Sequence, residues 1–231
     1  IPTELGYLAR IEHLSLGKNR LQGTIPKQIT SLPLLEFLSL EGEEGTTNDI
    51  FSASTGLSGP VPALDGFPRI RELYLGHNSF SGTIPANFLQ GVHDKSTKIT
   101  ADLEFNTIDG SIPVELSNFD DLNLLLVGNE ISDIPTEVCS NIGWMNGEVA
   151  HGCDSILCPP GSFNVDGRQV DTSTPCKPCT YPGSARHYGS TSCGPGSTES
   201  LDDRSILFAL YDAAGGDSWS NSAGWKSDSL N

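Results

Sequence analysis

The side chains with the most definite chemistry in this 231-residue sequence are six cysteines: Cys139, Cys153, Cys158, Cys176, Cys179 and Cys193. All lie within one 55-residue stretch, and the first 138 residues have none. An even number of thiols in a Gly/Pro-rich segment is the mark of a disulfide framework made in an oxidising, extracellular compartment. Two sharper chemistries compete for the same residues. Cys176-x-x-Cys179 has the spacing of a dithiol redox pair, but no strand-helix-strand pattern surrounds it. The series Cys153-x4-Cys158-x17-Cys176-x2-Cys179 approximates a four-thiolate zinc site, yet it leaves Cys139 and Cys193 as free thiols. Six cysteines allow fifteen pairings, so the set of residues is clear and the partners are not.

Elsewhere the sequence offers little to a catalyst. There is no Gly-x-Ser-x-Gly elbow, no His-Glu-x-x-His, and no Gly-rich phosphate loop ending in Lys-Ser or Lys-Thr. His13, His77, His93, His151 and His187 fall in separate segments, and the adjacent carboxylates Asp120-Asp121 and Asp202-Asp203 have no acid-base context. The acidic stretch 41–49 lacks the Asp-x-Asp-x-Asp-Gly spacing of a calcium loop and is expected to be a solvated insertion, as is the stretch 91–98. The reading is therefore of a protein that is not an enzyme, with no catalytic residue, no cofactor and no metal. Against 13 Lys and Arg stand 29 Asp and Glu, a net charge of −16 that argues against a nucleic-acid or anionic-lipid partner. The longest apolar run, from Ile206 to Tyr211, is too short to span a bilayer, so no membrane contact is expected.

Any binding residue must be positioned by a repeat array. Ile11, Leu14, Leu16, Asn19, Leu21, Gly23, Ile25 and Pro26 recur at the same spacings as Ile70, Leu73, Leu75, Asn78, Phe80, Gly82, Ile84 and Pro85. A further unit reads Ala101, Leu103, Asn106, Ile108, Gly110, Ile112, Pro113, and another Leu124, Leu126, Asn129, Ile131, Ile134, Pro135. The second unit begins Leu35, Leu38, Leu40 and is interrupted before Leu57, Gly59, Val61 and Pro62. The period is about 24 residues with two insertions. Alternation at Leu14 and Leu16 suits a short strand with one buried face. One unit buries too few aliphatic groups, at about 1.5–3 kcal/mol each, to offset ordering its own backbone, so the units must stack.

The spacing L-x-x-L-x-L-x-x-N-x-L-x-G-x-I-P resembles the plant-type leucine-rich repeat over residues 1–138. The resemblance implies the α/β class: a solenoid with a short parallel sheet, an irregular convex side, and asparagines that satisfy turn backbone from within. Residues 139–157, with Trp144, are expected to form a C-terminal cap.

Cys158-Pro-Pro-Gly-Ser-Phe163, Cys176-Lys-Pro-Cys179 and Gly189-Ser-Thr-Ser-Cys193 resemble the C-P-P-G-x-F cysteine modules of extracellular proteins. That resemblance pairs Cys158 with Cys176 and Cys179 with Cys193, leaving Cys139 with Cys153, and makes residues 158–199 a disulfide-rich module. Residues 200–231 have a helical pattern through Ile206, Leu207, Leu210 and Tyr211, stopped at Gly215-Gly216; with Trp219 and Trp225 they resemble the start of another amino-terminal repeat cap. The order as a whole resembles multidomain surface proteins of algae such as diatoms. Because Ile1 falls inside a repeat and Asn231 inside a cap-like segment, the chain is expected to be a window of a longer polypeptide.

Function is then expected to be binding. The leading expectation is an extracellular or cell-surface scaffold or adhesion module, tandemly repeated and assembling into an array or filament; the alternative is a receptor ectodomain that takes a peptide or glycan. Partners are proteins, other copies of itself included, and glycans. The x residues of each strand motif point to the concave face, where Phe37, Tyr74, His77, Asp102 and Phe105 form the candidate ligand patch.

Overall fold

The computed structural model describes residues 1–43, 56–180 and 185–193. The cap-like segment 200–231 and most of the acidic insertion lie outside the described residues. In chain order the strands are β1 (His13–Ser15), β2 (Phe37–Ser39), β3 (Ser58–Pro60), β4 (Glu72–Tyr74), β5 (Ser79–Thr83), β6 (Ile99–Asp102), β7 (Thr107–Ser111), β8 (Leu122–Leu125), β9 (Glu130–Asp133), β10 (Ser162–Phe163) and β11 (Lys177–Pro178). They build a five-stranded parallel sheet in the order β1-β2-β4-β6-β8, a four-stranded parallel sheet β3-β5-β7-β9, and a two-stranded antiparallel ribbon β10-β11. The chain is a leucine-rich-repeat solenoid, with one strand of the first sheet from each of five units.

Register follows from the apolar spacing. Leu14, Leu38, Leu73, Ala101 and Leu124 stand opposite one another across the first sheet, and all are buried. A one-residue slip would turn this column outward, so burial locks the pairing. The second sheet is an addition to the short parallel sheet expected from the sequence. Phe80, Ile108 and Ile131 are buried, while Ser81, Asp109 and Glu130 beside them are exposed, which is the period-two alternation of a half-buried strand. Beyond it the flank is made of short 3-10 turns such as Ile29–Ser31 and Val114–Asn118.

The repeats are joined by an asparagine ladder as well as by the sheets. Asn106 donates to the carbonyls of Leu75 and Leu103 at 3.2 and 3.0 Å, and its Oδ1 accepts from the Phe80 N–H at 2.9 Å. Asn78 bonds Leu40 and Leu75 carbonyls and the Leu57 N–H in the same way, and Asn129 bonds Leu103, Leu126 and the Ile108 N–H. Each of these amides therefore bonds its own turn and the preceding repeat. They occupy backbone groups that would otherwise be buried without partners.

The core closes behind the last repeat. Trp144 is fully buried and donates its indole N–H to the Phe119 carbonyl at 2.8 Å, and Asn141 donates to the Ser117 and Phe119 carbonyls. The insertion at 91–98 is tied down: Lys95 lies over the Phe119 ring at 5.0 Å, and the Asp120 N–H donates to the Lys95 carbonyl. Disulfides join Cys139 to Cys153, Cys158 to Cys176 and Cys179 to Cys193. With every cysteine paired, neither a zinc-thiolate site nor a Cys176-Cys179 dithiol is present.

The cysteine module packs on the repeats. The Tyr188 N–H donates to the Ile131 carbonyl at 3.0 Å, while Cys158 and Cys193 are buried. Gly167, at φ +65°, brings its backbone so close to Val127 that a Cβ there would meet the valine methyls at 2.7 and 2.9 Å. Among the described residues no helix is long and apolar enough to cross a membrane.

Candidate binding site

The solvent face of the first sheet presents two registered columns. One runs His13, Phe37, Glu72, Thr100, Asn123; the next runs Ser15, Ser39, Tyr74, Asp102, Leu125. Parallel strands sit about 4.8 Å apart, so long side chains on successive strands touch. His13 stacks on Phe37 at 5.7 Å between ring centroids, and Phe37 meets Tyr74 at 5.6 Å, tilted by 46°. The Tyr74 hydroxyl donates to Glu72 at 2.9 Å. Burial, then the bond to Glu72 and the charges of Glu72, Asp102 and Glu41, push the Tyr74 phenol above its usual pKa.

A third set of side chains comes from the residue just before each ladder asparagine. That backbone position lies in the left-handed region in every described case: Lys18 at φ 57°, His77 at 54°, Phe105 at 52° and Gly128 at 76°. Glycine takes this conformation without strain, whereas histidine and phenylalanine do not. The strain is held where His77 and Phe105 stack at 4.6 Å and project from the sheet. Phe105 lies over Gly128, where a Cβ would come within 2.6 Å of the ring. The ring is nonetheless 47% exposed.

The five patch residues thus fall into two groups. Phe37 and Tyr74 belong to an aromatic row that starts at His13. His77 and Phe105 form a separate pair nearer the cysteine module. Asp102 stands between them, half-buried, its Oδ1 accepting the Glu104 N–H at 2.9 Å. Burial raises the Asp102 carboxyl above its ordinary pKa, the bond from the Glu104 N–H opposes this, and the Glu41 charge raises it further.

Around Phe105 the structure adds walls that the repeat pattern did not disclose. One cavity of about 550 Å³ lies between Glu104, Phe105, Leu125 and Val127 of the repeats and Val165 and Arg168 of the cysteine module. A second, of about 410 Å³, lies on the side of Phe105 toward Gly128, Tyr188 and Ser190. Nothing in the cysteine spacing announces this, because the contacts depend on how the module docks. Arg168 is held by Glu148 and by the Ser155 carbonyl. Among the described residues no group of three or more His, Cys, Asp or Glu is placed to hold a metal ion.

Glu104 carries the strongest electrostatic signature of the face. Burial, and secondarily the neighbouring Asp102 charge, push its carboxyl up from 4.5 to about 7, while the Arg168 charge pulls the other way. A carboxyl with a raised native pKa binds its proton more tightly folded than unfolded. Its share of stability is therefore present below pH 4.5 and is lost as pH rises through about 7. Replacing Glu104 by Gln is expected to leave melting unchanged at pH 4 and to raise Tm at pH 8 by about 2–4 °C, allowing for solvent screening. A variant that melts lower than the parent at pH 8 would contradict this account.

The Leucine Rich Repeat family model matches residues 10–32 and 69–90. Receptor-like protein 32 of Arabidopsis thaliana is 32% identical over 120 residues, covering 50% of this chain and 13% of that protein. The crystal structure of PEPR1-AtPEP1 superposes with a TM-score of 0.50 at 25% identity, over 62% of this chain and 18% of that one. A TDR receptor crystal structure gives the same TM-score and identity, over 62% of this chain and 23% of that one. The chain spans between 10% and 13% of the length of the curated receptor-like proteins it matches. Over its repeats the chain is similar to receptor-like proteins of Arabidopsis thaliana.

Proposed function

We propose that this chain is the binding part of an extracellular receptor-type protein, and that the open face of the first sheet takes an extended, cationic peptide or protein segment. The observation that carries this is the aromatic row His13-Phe37-Tyr74, its rings in successive contact, with half-buried Asp102 beside Tyr74 in the same column and the separate His77-Phe105 pair nearer the cysteine module. Aromatic side chains supply contact area at small entropic cost, and acidic neighbours on a chain of net charge −16 favour a cationic partner. The receptor-like names of the relatives support this reading over the tandem scaffold or filament, and the pairing of all six cysteines supports an extracellular setting.

In this proposal the repeats of residues 1–138 present the face, residues 139–157 close the core, and the module beginning at Cys158 walls one end. The test uses a synthetic library of twelve-residue peptides with randomised Lys, Arg and aromatic content, read by calorimetry on the full chain. Peptides selected by the parent are expected to bind about tenfold or more weakly to the Phe37→Ala/Tyr74→Ala double variant. Unaltered affinity, or no peptide bound at all, would overturn the proposal.

A further inference from the structure

The cavity of about 550 Å³ beside Phe105 is built half by the repeats and half by the cysteine module. Its volume is in the range of side-chain and small-ligand pockets. Leu125 and Val127 supply one apolar wall from the sheet, and Val165 and Val170 supply another from the module. At one end sit the half-exposed Phe105 ring, which stacks on His77, and the carboxyl of Glu104. Among the described residues this carboxyl has no hydrogen-bond or ion-pair partner, even though it is half-buried beside Asp102. Among the described residues the one basic side chain lining the cavity, Arg168, is already held by Glu148, and Asp166 adds a further acid. The pocket therefore combines apolar walls with uncompensated negative charge.

Resting on the peptide-binding reading above, we propose that this cavity is the pocket for one lysine or arginine side chain of the bound segment. The methylene stem lies along Leu125, Val127, Val165 and Val170, and the cationic head meets the Glu104 carboxylate and the half-exposed Phe105 ring. Long basic side chains bury their stems and keep their charge at a polar end, and an aromatic face attracts such a cation. The occupant also removes the cost of leaving Glu104 half-buried and unpaired. An anionic group would instead meet Glu104, Asp102 and Asp166, and an uncharged apolar side chain would leave the carboxyl unpartnered.

The test is methyl and aromatic NMR on the full chain, titrated at pH 8 with acetyl-Gly-Lys-Gly-amide and, separately, with acetyl-Gly-norleucine-Gly-amide. The lysine peptide is expected to give saturable shifts at Phe105, Val127, Val165 and Val170, and the norleucine peptide to bind about fivefold or more weakly. Glu104→Gln is expected to remove that preference. Val165→Lys, a change at an exposed position, is expected to abolish lysine binding by placing a resident cation in the pocket. Equal binding of the two peptides, shifts only outside the pocket, or full lysine preference in Glu104→Gln would overturn the proposal. The twelve-residue peptides separate this failure from failure of the wider reading. Loss with Phe37→Ala/Tyr74→Ala but indifference to Glu104→Gln overturns the pocket alone. The lysine preference with indifference of the longer peptides to Phe37→Ala/Tyr74→Ala overturns the face and supports the pocket.

Discussion

Replacing Asn106 by leucine is expected to lower the unfolding free energy by about 2–4 kcal/mol, measured by urea denaturation. The amide is buried and bonds two successive repeats. Without it the Phe80 N–H loses its acceptor inside the core, and the carbonyls of Leu75 and Leu103 each lose one of their two asparagine donors. A buried donor left unpaired costs more than an average hydrogen bond contributes, and the ladder multiplies the effect because Asn78 and Asn129 share those same carbonyls. The comparison is Asn19, which is exposed and bonds only Leu16 and Gly17 of its own turn among the described residues. Asn19→Leu is expected to cost about 1 kcal/mol or less. Equal losses at the two positions would show that the ladder does not couple repeats.

The second large effect is expected at Trp144, where substitution by alanine should cost about 3–5 kcal/mol. The indole is completely buried behind the last repeat, and its N–H satisfies the Phe119 carbonyl. Truncation opens a cavity at the end of the core and leaves the Phe119 carbonyl with Asn141 as its remaining side-chain donor. Ile142, two residues away but 70% exposed, is the control: its alanine variant is expected to stay within about 0.5 kcal/mol of the parent. Thermal melts of the two variants decide the matter. If Trp144→Ala melts no lower than Ile142→Ala, the capping role is wrong.

Much of the repeat frame was legible because its signal is local and repeated. Leu14, Leu16 and Asn19 return as Leu73, Leu75 and Asn78, and the Leu14 position, filled by Leu38, Leu73, Ala101 and Leu124 in the later units, is buried in every one. The second sheet was harder to see. Ser79-Phe80-Ser81-Gly82-Thr83 and Thr107-Ile108-Asp109-Gly110-Ser111 do alternate, but each holds a single large apolar residue and a glycine, a residue that weakens isolated strands. They become strands because pairing with the neighbouring repeat satisfies their backbone. Of the candidate face, the column positions of Phe37, Tyr74 and Asp102 followed from period two. The split of the aromatic residues into a row and a separate His77-Phe105 pair did not, since it depends on the left-handed turn that re-aims the residue before each asparagine.

The sequence by itself determined the repeat period, the inward leucines, the ladder asparagines and the presence of a cysteine-bearing segment after the last unit. These are properties of spacing, and a regular solenoid converts spacing directly into position. Only the tertiary structure decided that the segment from Cys158 folds back against Val127 and Ile131, that its Val165 and Val170 wall a cavity beside Phe105, and that Glu104 is left there half-buried with a carboxyl raised to about 7. Docking of an irregular, disulfide-linked segment has no period. Its contacts join residues sixty apart in the chain through shape and desolvation, which no local pattern encodes.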